Sequence, residues 1–161
     1  MPKSRSAATD AVARVGIADT YRIANTIDPT KVYPRFGPLP AVIEVRDQSG
    51  TWDTVGRTRQ LMLSDGGSVI ETITDAATPT FFAYELSDFQ KLFGRLVSGA
   101  RAEWTFAEAD GGTRIRWTYA FHPLPGAGPV VGAIVGLFWA RYMRRVLPRI
   151  VAEVERTAAR A

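Results

Sequence analysis

Glu103-Trp104-Thr105-Phe106-Ala107, then Asp110-Gly111-Gly112, then Thr113-Arg114-Ile115-Arg116-Trp117-Thr118-Tyr119-Ala120-Phe121: this stretch decides the fold. Two β-rich runs flank a tripeptide whose glycines supply the positive φ angles that a short hairpin turn needs. Trp104 and Phe106 fall in step with Ile115, Trp117, Tyr119 and Phe121, while Arg114, Arg116 and Thr118 take the places between. A period of two with aromatic residues on one side predicts an antiparallel hairpin with one buried face and one wet face.

The same device recurs upstream. Asp65-Gly66-Gly67 separates a run from about Thr54 to Leu63 from a run Ser68 to Thr74. A loop of those three residues sets Leu61 opposite Glu71 and Leu63 opposite Val69. Arg59 and Glu71 then share the inner face with Leu61, Leu63, Val69 and Ile73, as diagonal neighbours. Ala41–Arg46 reads as a further strand, as does Phe81–Leu86, so residues 41–121 form an antiparallel meander. An earlier strand is expected from Ala13 to Ala24. Residues 1–11 read as a flexible N-terminal tail, and 12–157 as one domain. The basic start, Met1 to Ser6, has no apolar stretch behind it, so no secretory signal is expected.

From Pro129 to about Thr157 the pattern is helical. At 100° per residue Gly132, Gly136, Trp139, Met143, Val146, Ile150 and Val154 face the sheet, with Arg141, Arg144, Arg145, Glu155 and Arg156 outside. Each helical glycine costs ~1 kcal/mol relative to alanine, so Gly132 and Gly136 need compensation. Close packing on the strands and room for a ligand are the two candidates. Val130, Ile134 and Leu137 make an apolar collar on the outer side. Cover by residues 88–97, or by a second copy in a homodimer, is preferred to a shallow membrane contact flanked by Arg141, Arg144 and Arg145.

Composition narrows the chemistry. The 161 residues contain no cysteine and one histidine, His122, which leaves no thiolate nucleophile, disulfide or multi-histidine metal centre. The net charge of +4 comes from scattered arginines rather than a basic stripe with exposed aromatics, which reads against nucleic-acid binding. Apolar runs fall short of the ~20 residues of a membrane span. A cytoplasmic protein is expected.

The order of elements carries a resemblance: one strand, a break, an antiparallel meander and a long C-terminal helix. With Trp104-Thr105-Phe106, the stretch Asp110 to Tyr119 and the helix from Pro129, it resembles the helix-grip fold of the START/Bet v 1-like (SRPBCC) superfamily. Within it, the bacterial polyketide cyclase/dehydrase-like group is the most similar, from Val12 to Thr157. The resemblance implies an α+β fold, a curved antiparallel sheet wrapped around the long helix, with a cavity between them for an apolar ligand. Two places depart from the family pattern. Residues 28–40 hold four prolines where the family has two short helices, and Pro34 limits any helix there to one or two turns. Residues 88–97 place Phe89, Leu92, Phe93 and Leu96 at helical spacing, an inserted amphipathic helix that could serve as a lid.

On this resemblance the cavity lining is expected from Arg59, Leu61, Glu71, Ile73, Tyr84, Trp104, Phe106, Trp117, Tyr119, Gly132, Gly136, Trp139 and Met143. Arg59 and Glu71 would orient a ligand or simply satisfy each other; the second reading is preferred, because an unpaired buried charge is costly. His122, before Pro123-Leu124-Pro125, reads as a rim residue, for no nucleophile elbow accompanies it. No catalytic constellation, metal site or cofactor site is evident. The leading reading is non-catalytic binding or carriage of a lipid or polyketide-like molecule. The competitor is a polyketide cyclase/aromatase-type enzyme using Arg59, Glu71, Tyr84 and Tyr119. A third is a protein-interaction module with a filled cavity.

Overall fold

The computed structural model describes residues 2–161. Seven strands form one antiparallel sheet: β1 (Arg5–Ala13), β2 (Val42–Arg46), β3 (Thr58–Leu63), β4 (Ser68–Ala77), β5 (Phe81–Ser87), β6 (Val97–Ala109) and β7 (Gly112–Pro123). Their spatial order is β1-β7-β6-β5-β4-β3-β2, so the meander runs in sequence order and only β1 crosses to the far edge. Between β1 and β2 lie two helices, α1 (Ile17–Thr26) and α2 (Pro29–Val32). The C-terminal helix begins as α3 (Gly128–Ile134), passes through a π-helical turn at Val135–Trp139, and continues as α4 (Ala140–Ala159). It packs against β1 and α1, with the curved sheet around it. None of the helices is long and apolar enough to cross a membrane.

The first strand corrects two expectations. Residues 5–11 are not a tail: they pair with β7 from Arg5↔Phe121 to Ala13↔Thr113 (Met1 lies outside the described residues). The segment read as a strand, 13–24, is mostly α1. Alanines weaken the strand signal in β1, yet Ala7, Ala11 and Ala13 pack into the core where α4 passes over this edge. Their small size suits a close approach of helix to strand. In α1 the buried residues Thr20, Tyr21, Ile23 and Asn25 follow helical spacing, and Asp19 pairs with Arg22 one turn on. Both short helices are therefore present, α2 capped by the Asp28 side chain on the Thr30 N–H with Pro29 in its first turn.

The β3–β4 hairpin has a different register. Leu61 pairs with Val69 and Arg59 with Glu71, because the turn residues are Ser64-Asp65-Gly66 and Leu63 N–H donates to Gly67 O. A shift of two keeps every side chain on its expected face, but makes Arg59 and Glu71 directly opposed. Residues 88–97 form no amphipathic helix. Asp88 and Lys91 have positive φ, and only a 3₁₀ turn, Leu92–Arg95, follows. A Cβ on Gly94 would lie 1.9 Å from Phe89 O, so the turn depends on glycine there.

The π-helical turn governs which residues of the C-terminal helix meet the sheet. One residue is added to the local repeat, so helical phase shifts by about 100° across it. Below it Tyr142, Met143, Val146, Leu147, Ile150 and Val154 are buried; above it the buried positions are Gly128 and Val131, and within it Val135. Gly132 and Gly136 do not face the sheet interior. A Cβ on Gly132 would meet the Arg5 side chain at 3.4 Å, and one on Gly136 would meet nothing within 4 Å.

Candidate functional site

The interior divides along the strands. At one end Trp104 and Trp117 stack at 4.8 Å between ring centroids, and Phe106, Ile115 and Val154 complete a packed core around them. At the other end the sheet and helix separate around a cavity of about 540 Å³. That volume lies in the ~300–1,000 Å³ range of small-molecule sites. The alternating aromatics on β5–β7 thus serve as core at one end and as cavity wall at the other.

Four surfaces enclose the space. The sheet contributes Leu61, Val69, Glu71, Tyr84, Tyr119 and Phe121; the helix contributes Ile134, Phe138, Trp139 and Tyr142. The loop Pro38-Leu39-Pro40 closes a side, and Phe89, Phe93 and Leu96 form a cover continuous with Phe121 through ring contacts of 5.3 to 6.3 Å. The rim holds the exposed residues Asp65, Gln90, Lys91 and Leu92. The segment 88–97 borders the opening with no more than its single 3₁₀ turn.

Of the thirteen residues expected to line the cavity, Leu61, Glu71, Tyr84, Tyr119 and Trp139 do so. Ile73, Trp104, Phe106, Trp117 and Met143 belong to the packed interior instead. Gly132 and Gly136 are turned away by the π-helical phase shift. Arg59 also lies outside this cavity. Its guanidinium sits 4.0 Å from the Trp52 ring centroid and borders a chamber of about 30 Å³, with Asn25, Tyr33, Tyr84 and Trp104. Ile134, expected in an outer collar with Val130 and Leu137, faces the cavity, whereas Val130 and Leu137 are exposed.

The polar groups gather at the inner end. Arg59 Nε donates to Glu71 Oε2 at 2.6 Å, both side chains being under a tenth exposed. Tyr33, Tyr84 and Tyr119 border the same region as Glu71. Burial pushes all three phenols well above their usual range. The Glu71 carboxylate pushes each further, most directly at Tyr84 and Tyr119. These phenols stay neutral and act as donors or acceptors of hydrogen bonds. Tyr142, at the wall, donates to Pro34 O at 2.7 Å.

His122 is remote from this floor. It lies on the outer face of β7, where Nδ1 meets Ser4 Oγ at 3.1 Å and Nε2 lies 3.9 Å from Glu85 Oε2. No cluster of three or more potential metal-ligating side chains occurs among the described residues.

Sequence reasoning missed several wall residues. Tyr33, Pro38 and Leu39 sit in the proline-rich segment, which carries no periodicity. Ile134 and Phe138 were hidden by the π-helical turn, which no wheel of constant pitch reproduces.

Comparison with known proteins agrees with this architecture. The family described as polyketide cyclase / dehydrase and lipid transport matches residues 22–156. No curated protein sequence matches the chain. A structure from Rhizobium leguminosarum superposes with a TM-score of 0.66 at 16% identity, covering 97% of each chain. One from Chromobacterium violaceum gives 0.63 at 15% identity, over 94% of this chain and 97% of its own. The crystal structure of Ara h 8.0201 gives 0.56 at 17% identity, over 99% of this chain and 100% of its own. At these identities the likeness is one of fold.

Proposed function

The chain belongs to the polyketide cyclase/dehydrase and lipid transport family, and from that premise we propose that it binds and carries an apolar small molecule between its sheet and its C-terminal helix. The observation that supports this most is the cavity of about 540 Å³, walled by aliphatic and aromatic side chains and open at a rim. A filled interior would favour an interaction module; here only the Trp104–Trp117 end is filled. We take the working place to be the cytoplasm and the partner to be a small molecule rather than nucleic acid.

Native mass spectrometry tests the reading. Freshly purified protein should carry a non-covalent adduct that is lost on denaturation, and Leu61→Trp, which fills the space, should carry none. Protein that is bare, and stays bare after incubation with apolar candidates, overturns the carrier reading.

A second reading, chemistry of the cyclase type, is favoured by the gathering of Glu71 with Tyr33, Tyr84 and Tyr119 at one end of the cavity. Neutral phenols there would hydrogen-bond a ketone oxygen while a carboxylate accepted a proton. Dehydrative cyclisation removes water from the ligand. Extracted material lighter by the elements of water after incubation would support this chemistry; unchanged mass supports carriage.

A further inference from the structure

We propose that the inner end of the cavity takes a ligand bearing an uncharged hydrogen-bond donor, an O–H or N–H, and refuses one whose buried end is a carboxylate. The proposal rests on the carrier reading and adds the class of molecule carried. Its basis is an asymmetry within the buried ion pair. Glu71 borders the cavity; Arg59 does not. The guanidinium is held behind the wall against Trp52, and its one hydrogen bond within the pair goes to Oε2. Glu71 is 4% exposed, and its Oε1 accepts no hydrogen bond from the described residues. The cavity therefore meets the acceptor of the pair and not its donor.

The neighbouring groups agree with that polarity. Tyr33 and Tyr119 feel Glu71 as a nearby negative charge, and neither hydroxyl is taken up by a side chain. A ligand hydroxyl can donate to Glu71 Oε1 and accept from a phenol, satisfying three buried groups together. An inner carboxylate would set acceptor against acceptor at Glu71 Oε1 and lose its hydration with no cation facing it. An inner ammonium would find a carboxylate whose charge Arg59 already neutralises, and would still lose its hydration. The one cation among the wall residues, Lys91, is at the rim. It can serve a carboxylate that points outward, so the test removes it.

The experiment uses Lys91→Ala protein at pH 8 and displacement of N-phenyl-1-naphthylamine, an uncharged fluorescent probe. The competitors are 1-decanol, decanoate and 1-methoxynonane, the last matched in size to the alcohol but without an O–H. Decanol should displace the probe at concentrations at least tenfold below decanoate and at least threefold below the ether. In an added Arg59→Met/Glu71→Gln background, which removes both charges together, the decanol–decanoate gap should fall below threefold. Decanoate equal to decanol, an ether equal to decanol, or a gap that survives the double substitution each overturns the proposal. If the probe and all three competitors fail to bind, the carrier reading itself falls.

Discussion

Arg59 stands directly across from Glu71 on the adjoining strand, bonded through Nε, yet the two face different spaces: the carboxylate borders the large cavity and the guanidinium a small chamber beside Trp52. The pair is thus part of the partition between cavity and core. Removing one member leaves the other charged and buried, which costs about 3–5 kcal/mol, whereas neutralising both together is often close to neutral. Arg59→Met and Glu71→Gln should each lower the unfolding free energy by roughly that amount. The double substitution should recover most of the loss. A denaturant-based double-mutant cycle checks this, and additive losses would mean the two groups act independently.

The buried phenols set an alkaline limit. Tyr33, Tyr84 and Tyr119 hold their protons in the folded state well above the ordinary value of 10.0. Between that value and the raised ones the folded chain binds more protons than the unfolded chain, so stability falls as pH rises. Each such group contributes a slope of about 1.4 kcal/mol per pH unit in that window. Stability should be insensitive to these groups below pH ~9 and drop steeply above pH ~10. Phenolate absorbance should then rise together with loss of near-ultraviolet circular dichroism. Gradual ionisation with the fold intact would show that these rings are reached by water.

Much of this architecture was legible because period-two patterning reports faces directly. Trp104, Trp117 and Tyr119 announce their side of the sheet regardless of loop detail, and a hairpin register wrong by two still places Glu71 inside. What stayed hidden depends on volume and phase. Alternation reads alike for Trp117, in solid core, and Tyr119, one pleat further on at a cavity wall. The alanines of β1 carry little strand signal because they are selected by the nearby helix rather than by the sheet. The inward set of the C-terminal helix was mistaken above Trp139 because a wheel assumes constant pitch.

The glycines of that helix separate close packing from ligand space. Since a Cβ on Gly136 would meet nothing within 4 Å, Gly136→Ala should stabilise the protein by about 0.5–1 kcal/mol and leave ligand capture unchanged. At Gly132 the new methyl meets the flexible Arg5 side chain at 3.4 Å, so the effect should be smaller. Gly112→Ala has the opposite outcome: its Cβ would lie 1.9 Å from Ala13 O, forcing β1 and β7 apart. Thermal unfolding of the three variants ranks them, and reduced ligand capture in Gly136→Ala would mean that this face does border the ligand.

The π-helical turn is what aims Ile134 and Phe138 at the cavity while Met143 and Val146 stay in the core. Deleting Gly136 removes the added residue and lets the turn close as a regular α-helix, so everything N-terminal to it keeps its present face. Ile134 would stay at the cavity wall, and Val131 and Val135 would keep their buried places. Stability should therefore fall by no more than about 1 kcal/mol. Ligand uptake should be kept, because the wall residues hold their directions. The check is the deletion variant in denaturant titration alongside native mass spectrometry, with Gly136→Ala as the control that keeps chain length. A deletion variant with a large loss of both stability and uptake would show that the shortened helix does not close the turn, and that the chain above it is rotated instead.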